Sequence, residues 1–148
     1  MASPRPLDML LRLAREKYDG CAKAVAASNL LIENAKRQLT LLQEYRYDYL
    51  NRLQGHMASG MIASDCQNYQ QFIATLDGAI GQQSMVCHQA EEKLSAARQA
   101  LKMAHHRLSA YDALIKRERA AQIVVRNRVD QRICDELASK RSPNFAPV

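Results

Sequence analysis

The chain has 148 residues, a length that suits one domain, with five glycines and four prolines, the prolines confined to positions 4, 6, 143 and 147. A proline-free interior rich in Ala, Leu, Gln, Arg and Lys favours helix and makes strands improbable. Aromatic content of 5% without Trp excludes a thick globular core, while 47% hydrophobic residues at regular spacing exclude a disordered chain.

The formal net charge is +6, which could attract nucleic acid, an anionic surface or an acidic protein. Both signs are mixed along the whole chain, so no segment is a purely basic tract. The N-terminus lacks a signal-peptide pattern and no apolar run approaches transmembrane length. Cys21, Cys66, Cys87 and Cys134 lie far apart, without a C-x-x-C pair or histidines at zinc-ligand spacing. They read as free thiols in a reducing cytoplasm.

In chain order, the first predicted element is a helix over about 6–54. Alternating steps of four and three give Leu7, Leu11, Ala14, Tyr18, Cys21, Val25, Ser28, Ile32, Ala35, Leu39, Leu42, Arg46, Tyr49 and Leu53, broken only by Ser28 and Arg46. The segment Gly55–Gly60, with two glycines and a serine, predicts a turn over 55–61. A second helix over about 62–140 carries Ile62, Cys66, Tyr69, Ile73, Leu76, Ile80, Gln83, Cys87, Ala90, Leu94, Ala97, Leu101, Ala104, Leu108, Tyr111 and Ile115. Only Gln83 breaks that stripe. Two sustained heptad stripes joined by a short turn predict an all-α, antiparallel coiled-coil hairpin forming one domain over 1–148. Facing residues should then have numbers adding to about 117, with Leu7 opposite roughly residue 110.

That register leaves residues 112–140 without a partner helix, although Val124, Val125, Val129, Ile133 and Leu137 form an apolar face among Lys116, Arg117, Arg119, Arg126, Arg128 and Arg132. Such a face on an unpaired helix argues for a partner groove or socket. Residues 141–148 read as a frayed tail. Gly78 and Gly81 weaken the second helix locally, by about 1 kcal/mol each relative to Ala.

The chain has no phosphate-binding glycine loop, no H-E-x-x-H and no nucleophile elbow. Its four histidines, His105 and His106 among them, read as surface residues, and Glu91 with Glu92 as a solvated face. No catalytic, cofactor or metal site is therefore expected. A more informative set flanks the turn: Gln38, Leu42, Tyr45 and Tyr49 on the first helix, and Phe72, Leu76, Ala79 and Gln83 on the second. Four of these lie on the stripes, whereas Tyr45, Phe72 and Ala79 stand beside them, and the two aromatic residues among these should be at least half exposed. On the residues alone, a protein-binding patch and an extended core both remain open.

The segment Asn68–Leu76, reading N-Y-Q-Q-F-I-A-T-L, resembles the mid-chain segment of the FliJ family of flagellar export proteins. Asn127-Arg128-Val129-Asp130-Gln131, followed by Asp135, Glu136 and Ala138, is similar to that family's C-terminal signature, and the spacing of Leu42, Tyr45 and Tyr49 agrees. The resemblance implies a non-enzymatic part of the flagellar type III export apparatus, serving flagellum biogenesis, motility and chemotaxis. Its stalk would insert into the hexameric ring of the export ATPase FliI and bind the cytoplasmic domain of the export gate FlhA. It would lie in the cytoplasm, associated peripherally with the inner membrane at the flagellar base and not inserted in it. The family's gate-binding residues fall here on Gln38, Leu42, Tyr45, Tyr49, Phe72, Leu76 and Ala79; Gln83 stands where the family often has His. Ring contact is expected around Arg126, Arg128 and Asp130, and export chaperones are further partners that the family engages. The rival readings are a generic coiled-coil scaffold or chaperone, and a basic hairpin that binds nucleic acid.

Overall fold

A computed structural model describes residues 5–141, and these form two helices with no strand among them. Helix α1 spans Pro6–Ala58 and helix α2 spans Ala63–Arg141. They pack against each other antiparallel, as the two heptad stripes and the short connection require. Contacts divide the chain into two units, one comprising 1–18 with 104–148, the other 19–103.

In the unit over 19–103 the pairing is carried by Ile32, Ala35, Leu53, Ile73, Leu76, Cys87 and Leu94, all buried. In the other unit Ala14, Ala104 and Ile115 are buried. Every one of these ten residues lies on the two predicted stripes. The polar interruptions are accommodated within the seam. Arg46 pairs with Asp77 across the helices, and the half-buried Gln83 side chain donates to the Ala35 carbonyl oxygen at 3.0 Å. A satisfied polar group in a coiled-coil seam favours one register over its neighbours, because sliding the helices would strand it.

The turn differs from the predicted one. Helix α1 continues through Gly55 to Ala58, and the chain reverses at Ser59–Ile62. Among the described residues only Gly60 has a left-handed backbone, at φ 89°, the conformation that commonly closes a helix and that glycine adopts without a Cβ penalty. The Ser59 amide and hydroxyl both donate to the Gly55 carbonyl oxygen, at 3.2 and 2.7 Å, which holds the last turn of α1. Ile62, expected to begin the second stripe, is instead exposed and caps α2: its carbonyl oxygen accepts from the Asp65 and Cys66 amides, each at 3.1 Å. Asp65 sits in the first turn of α2, where a carboxylate complements the helix dipole.

A later bend moves the pairing. Arg5 meets Glu118 at 2.9 Å where the expected register would have placed it near residue 112, and Tyr18 packs on His105 at 5.9 Å between ring centroids. Packing therefore reaches Ile115, which is only 5% exposed, so the stretch without a partner begins at about Arg119 and not at residue 112. Every residue from Arg119 to Arg141 is exposed. Gly78 and Gly81 do not interrupt α2. Of the predicted tail over 141–148, Arg141 closes α2, and 142–148 lie outside the described residues.

Candidate protein-binding surface

The eight residues singled out beside the turn all belong to the unit over 19–103, and their heptad places, on the seam or one residue before it, put them toward one side of the helix pair. Their exposure follows their distance from the seam. Leu76 is buried, Leu42, Tyr49 and Gln83 are half-buried, and Gln38 is exposed. Tyr45 is 54% exposed and Phe72 42% exposed, although both are large and aromatic. Phe72 falls short of half because it stacks on Tyr49, with ring centroids 4.3 Å apart. Ala79, also beside the seam, is half-buried.

Tyr49 organises this side. Besides Phe72 it packs near Tyr69, at 6.2 Å between ring centroids, and the Arg52 guanidinium lies 5.6 Å from its ring. Tyr69 in turn touches His56 at 5.7 Å. Tilted aromatic pairs of this kind contribute about 0.5–1.5 kcal/mol beyond their buried area. Tyr69 was legible as a stripe residue and Arg52 was not singled out; only its place one turn from Tyr49 signals its role.

The second set, Arg126, Arg128 and Asp130, lies in the unit formed by 1–18 with 104–148, and all three are exposed. Around them Ile123, Val124, Val125, Val129, Ile133 and Leu137 are each between 48% and 58% exposed. Isolated exposed apolar residues are common, but Val125, Val129, Ile133 and Leu137 step by four and so share one face of the helix, with Ile123 beside them and Val124 on another side. Lys116, part of the basic flank, pairs with Asp112 on its own helix at 3.0 Å.

Among the described residues no group of His, Cys, Asp or Glu is placed to hold a metal ion, and no helix is long and apolar enough to cross a membrane. His56, His88, His105 and His106 are all exposed. Of the cysteines, which are all free, Cys87 is buried and Cys134 exposed.

Fold and surface together define a coiled-coil hairpin that presents apolar and aromatic side chains outward on two separate stretches. The family model described as Flagellar FliJ protein matches residues 3–144. The chain is also 32% identical over 140 residues to a Flagellar FliJ protein of Salmonella typhi and 31% identical to that of Escherichia coli strain K12, covering 95% of each chain in both cases. The chain belongs to the FliJ family, and is thus a component of flagellar protein export in a family that is not enzymatic.

Proposed function

We propose that the chain links two partners in flagellar protein export: the hexameric ring of the export ATPase FliI and the cytoplasmic domain of the export gate FlhA. The observation that carries this reading is the pair of exposed aromatic side chains, Tyr45 and Phe72, beside the stacked Tyr49. Covering the half of each ring that is still exposed would be worth about 0.75–1.5 kcal/mol each, a useful contribution at a protein interface. Gln38, Leu42, Leu76, Ala79 and Gln83 complete the gate-binding patch, with Leu76 acting from beneath as its support.

The ring would take the exposed end of α2. Its valine, isoleucine and leucine face fits a lined socket, and Arg126, Arg128 and Asp130 would meet opposite charges around it. Ring assembly would follow, since a helix that contacts several subunits at once stabilises the closed hexamer by mass action. Hydrolysis belongs to the partner. Export chaperones are further candidates, and the protein would act in the cytoplasm at the membrane face of the flagellar base.

The test is a pull-down with the export ATPase and, separately, with the soluble part of the gate. Wild type should capture both, whereas Tyr45→Ala with Phe72→Ala should lose the gate and keep the ATPase, with helicity unchanged by circular dichroism. Retention of both partners by the double variant would reduce the aromatic patch to a structural feature. Steeply salt-dependent binding to DNA or RNA in place of either partner would favour the nucleic-acid reading.

A further inference from the structure

The aromatic patch does not end at Gln38. Tyr45, Phe72 and Ala79 each stand one residue before a seam position, and in an antiparallel coiled coil such positions of the two helices flank the same side of the seam. Steps of seven along that row lead from Tyr45 through Gln38 to Leu31, and from Ala79 through Val86 to Lys93. Leu31 and Val86 are 59% and 46% exposed despite being apolar. Between them lies a groove of about 150 Å³, walled also by Ser28, Ala35, Ala90 and Lys93.

The cause of the groove is in the sequence. Ser28 and Ala35 on α1, and Ala90 on α2, occupy seam positions, many of which elsewhere hold larger residues such as Leu, Ile or Tyr. Three short side chains meeting across the helices leave space that the flanking Leu31 and Val86 border without filling. An apolar cavity of about 150 Å³ is large enough for a benzene-sized ring. Among the described residues Lys93, at the rim, makes no ion pair.

We propose that this groove is a socket for one apolar side chain, of Leu, Met or Phe size, from the same gate partner that covers the aromatic patch, with a partner carboxylate beside it meeting Lys93. The proposal rests on the gate-binding reading above and extends that interface along α1 and α2 to Leu31 and Lys93. Three features support this occupant: the row is continuous with the patch, the groove has the volume of one side chain, and its rim offers a single unpaired cation. The socket would anchor one end of the interface while the aromatic cluster anchors the other.

The experiment is a calorimetric titration of the full chain with the soluble part of the gate. Leu31→Ser with Val86→Ser should weaken binding tenfold or more, the effect of losing about 1.4 kcal/mol. Lys93→Glu should weaken it severalfold, and Leu41→Ser, at an exposed leucine off this row, should leave it unchanged. Loss with Tyr45→Ala and Phe72→Ala but wild-type affinity for the Leu31 and Val86 variant would overturn the socket and leave the gate-binding reading standing. A gate that binds neither wild type nor variants, or binds all of them equally, would overturn both. Unchanged gate affinity with a changed sedimentation coefficient would assign the groove to a second copy of the chain and likewise overturn the socket. A photo-crosslinker at position 31 reads the same question without loss of an apolar residue: it should capture the gate, and capture of nothing would overturn the proposal.

Discussion

The paired stretch over 19–103 and the stretch over 119–141 are built from the same kinds of residue, yet one buries its apolar side chains and the other does not. In the first, Ile32, Ile73, Leu76 and Leu94 are 8–9% exposed; in the second, Val129, Ile133 and Leu137 are 48–56% exposed. Both stretches are helical and both alternate apolar with charged positions. What separates them is whether a second helix lies opposite. Helix propensity suffices to continue α2, because each added residue contributes one hydrogen bond after nucleation has been completed elsewhere. It does not make that stretch stable by itself. The paired stretch thus supports the aromatic surface, while the other retains an uncovered face for whatever socket receives it.

The sharpest way to break this comparison is to place a charge at matched sites. Leu94→Asp puts a carboxylate in the seam and should cost 3 kcal/mol or more, unfolding the pair in thermal or urea melts followed by circular dichroism. Ile133→Asp should change stability by less than about 0.5 kcal/mol, because its side chain is already half in water. Equal losses at the two sites would mean that 119–141 is covered in solution. Hydrogen exchange sharpens the same contrast: amides of 19–103 should be protected near the limit of global unfolding, and those of 119–141 should exchange orders of magnitude faster. Adding the ATPase should slow exchange in 119–141 alone.

A smaller effect is expected from the two glycines within α2. Gly78 and Gly81 are helical, and a methyl group on either would meet nothing within 4 Å. Gly78→Ala and Gly81→Ala should each stabilise the paired stretch by about 1 kcal/mol, raising the midpoint of thermal melting. Loss of gate binding in these variants, at unchanged helicity, would show that local looseness beside Ala79 and Gln83 serves recognition.

Much of the fold was legible because a coiled coil writes its contacts into a single period. All ten residues buried among those described fall on the two stripes, and even Arg46 and Gln83 keep their seam places by finding partners. The turn was less legible, since Gly55 and Gly60 look alike in a sequence and only one needs a left-handed backbone. Moving the bend toward Gly60 shifts every facing pair, which is why Arg5 reaches Glu118 and why Ile115 is covered. At the candidate surface, the exposure of Tyr45 followed from its place beside the seam. The stacking of Phe72 on Tyr49 and the groove beside Leu31 did not, because each depends on which short or aromatic residues the final register brings face to face.

The smallest effect marks where pairing stops. Arg5 and Glu118 keep 53% and 42% of their side chains exposed, so their ion pair is heavily screened and worth between about 0 and 1 kcal/mol. With its amide oxygen turned toward Arg5, Gln122 accepts from the same guanidinium at 2.7 Å, which places a second acceptor one turn further along α2. Removing either acceptor alone should therefore leave the other in contact. Glu118→Gln should lower stability by a few tenths of a kcal/mol at low salt and by nothing measurable at 1 M salt, where the Debye length is about 3 Å. Arg5→Gln should have the larger effect, since it ends both contacts, and should quicken hydrogen exchange between Ile115 and Gln122 without reaching the paired stretch over 19–103. Quickened exchange throughout α2 would instead make Arg5 a clamp for the whole hairpin and remove the boundary drawn at Arg119.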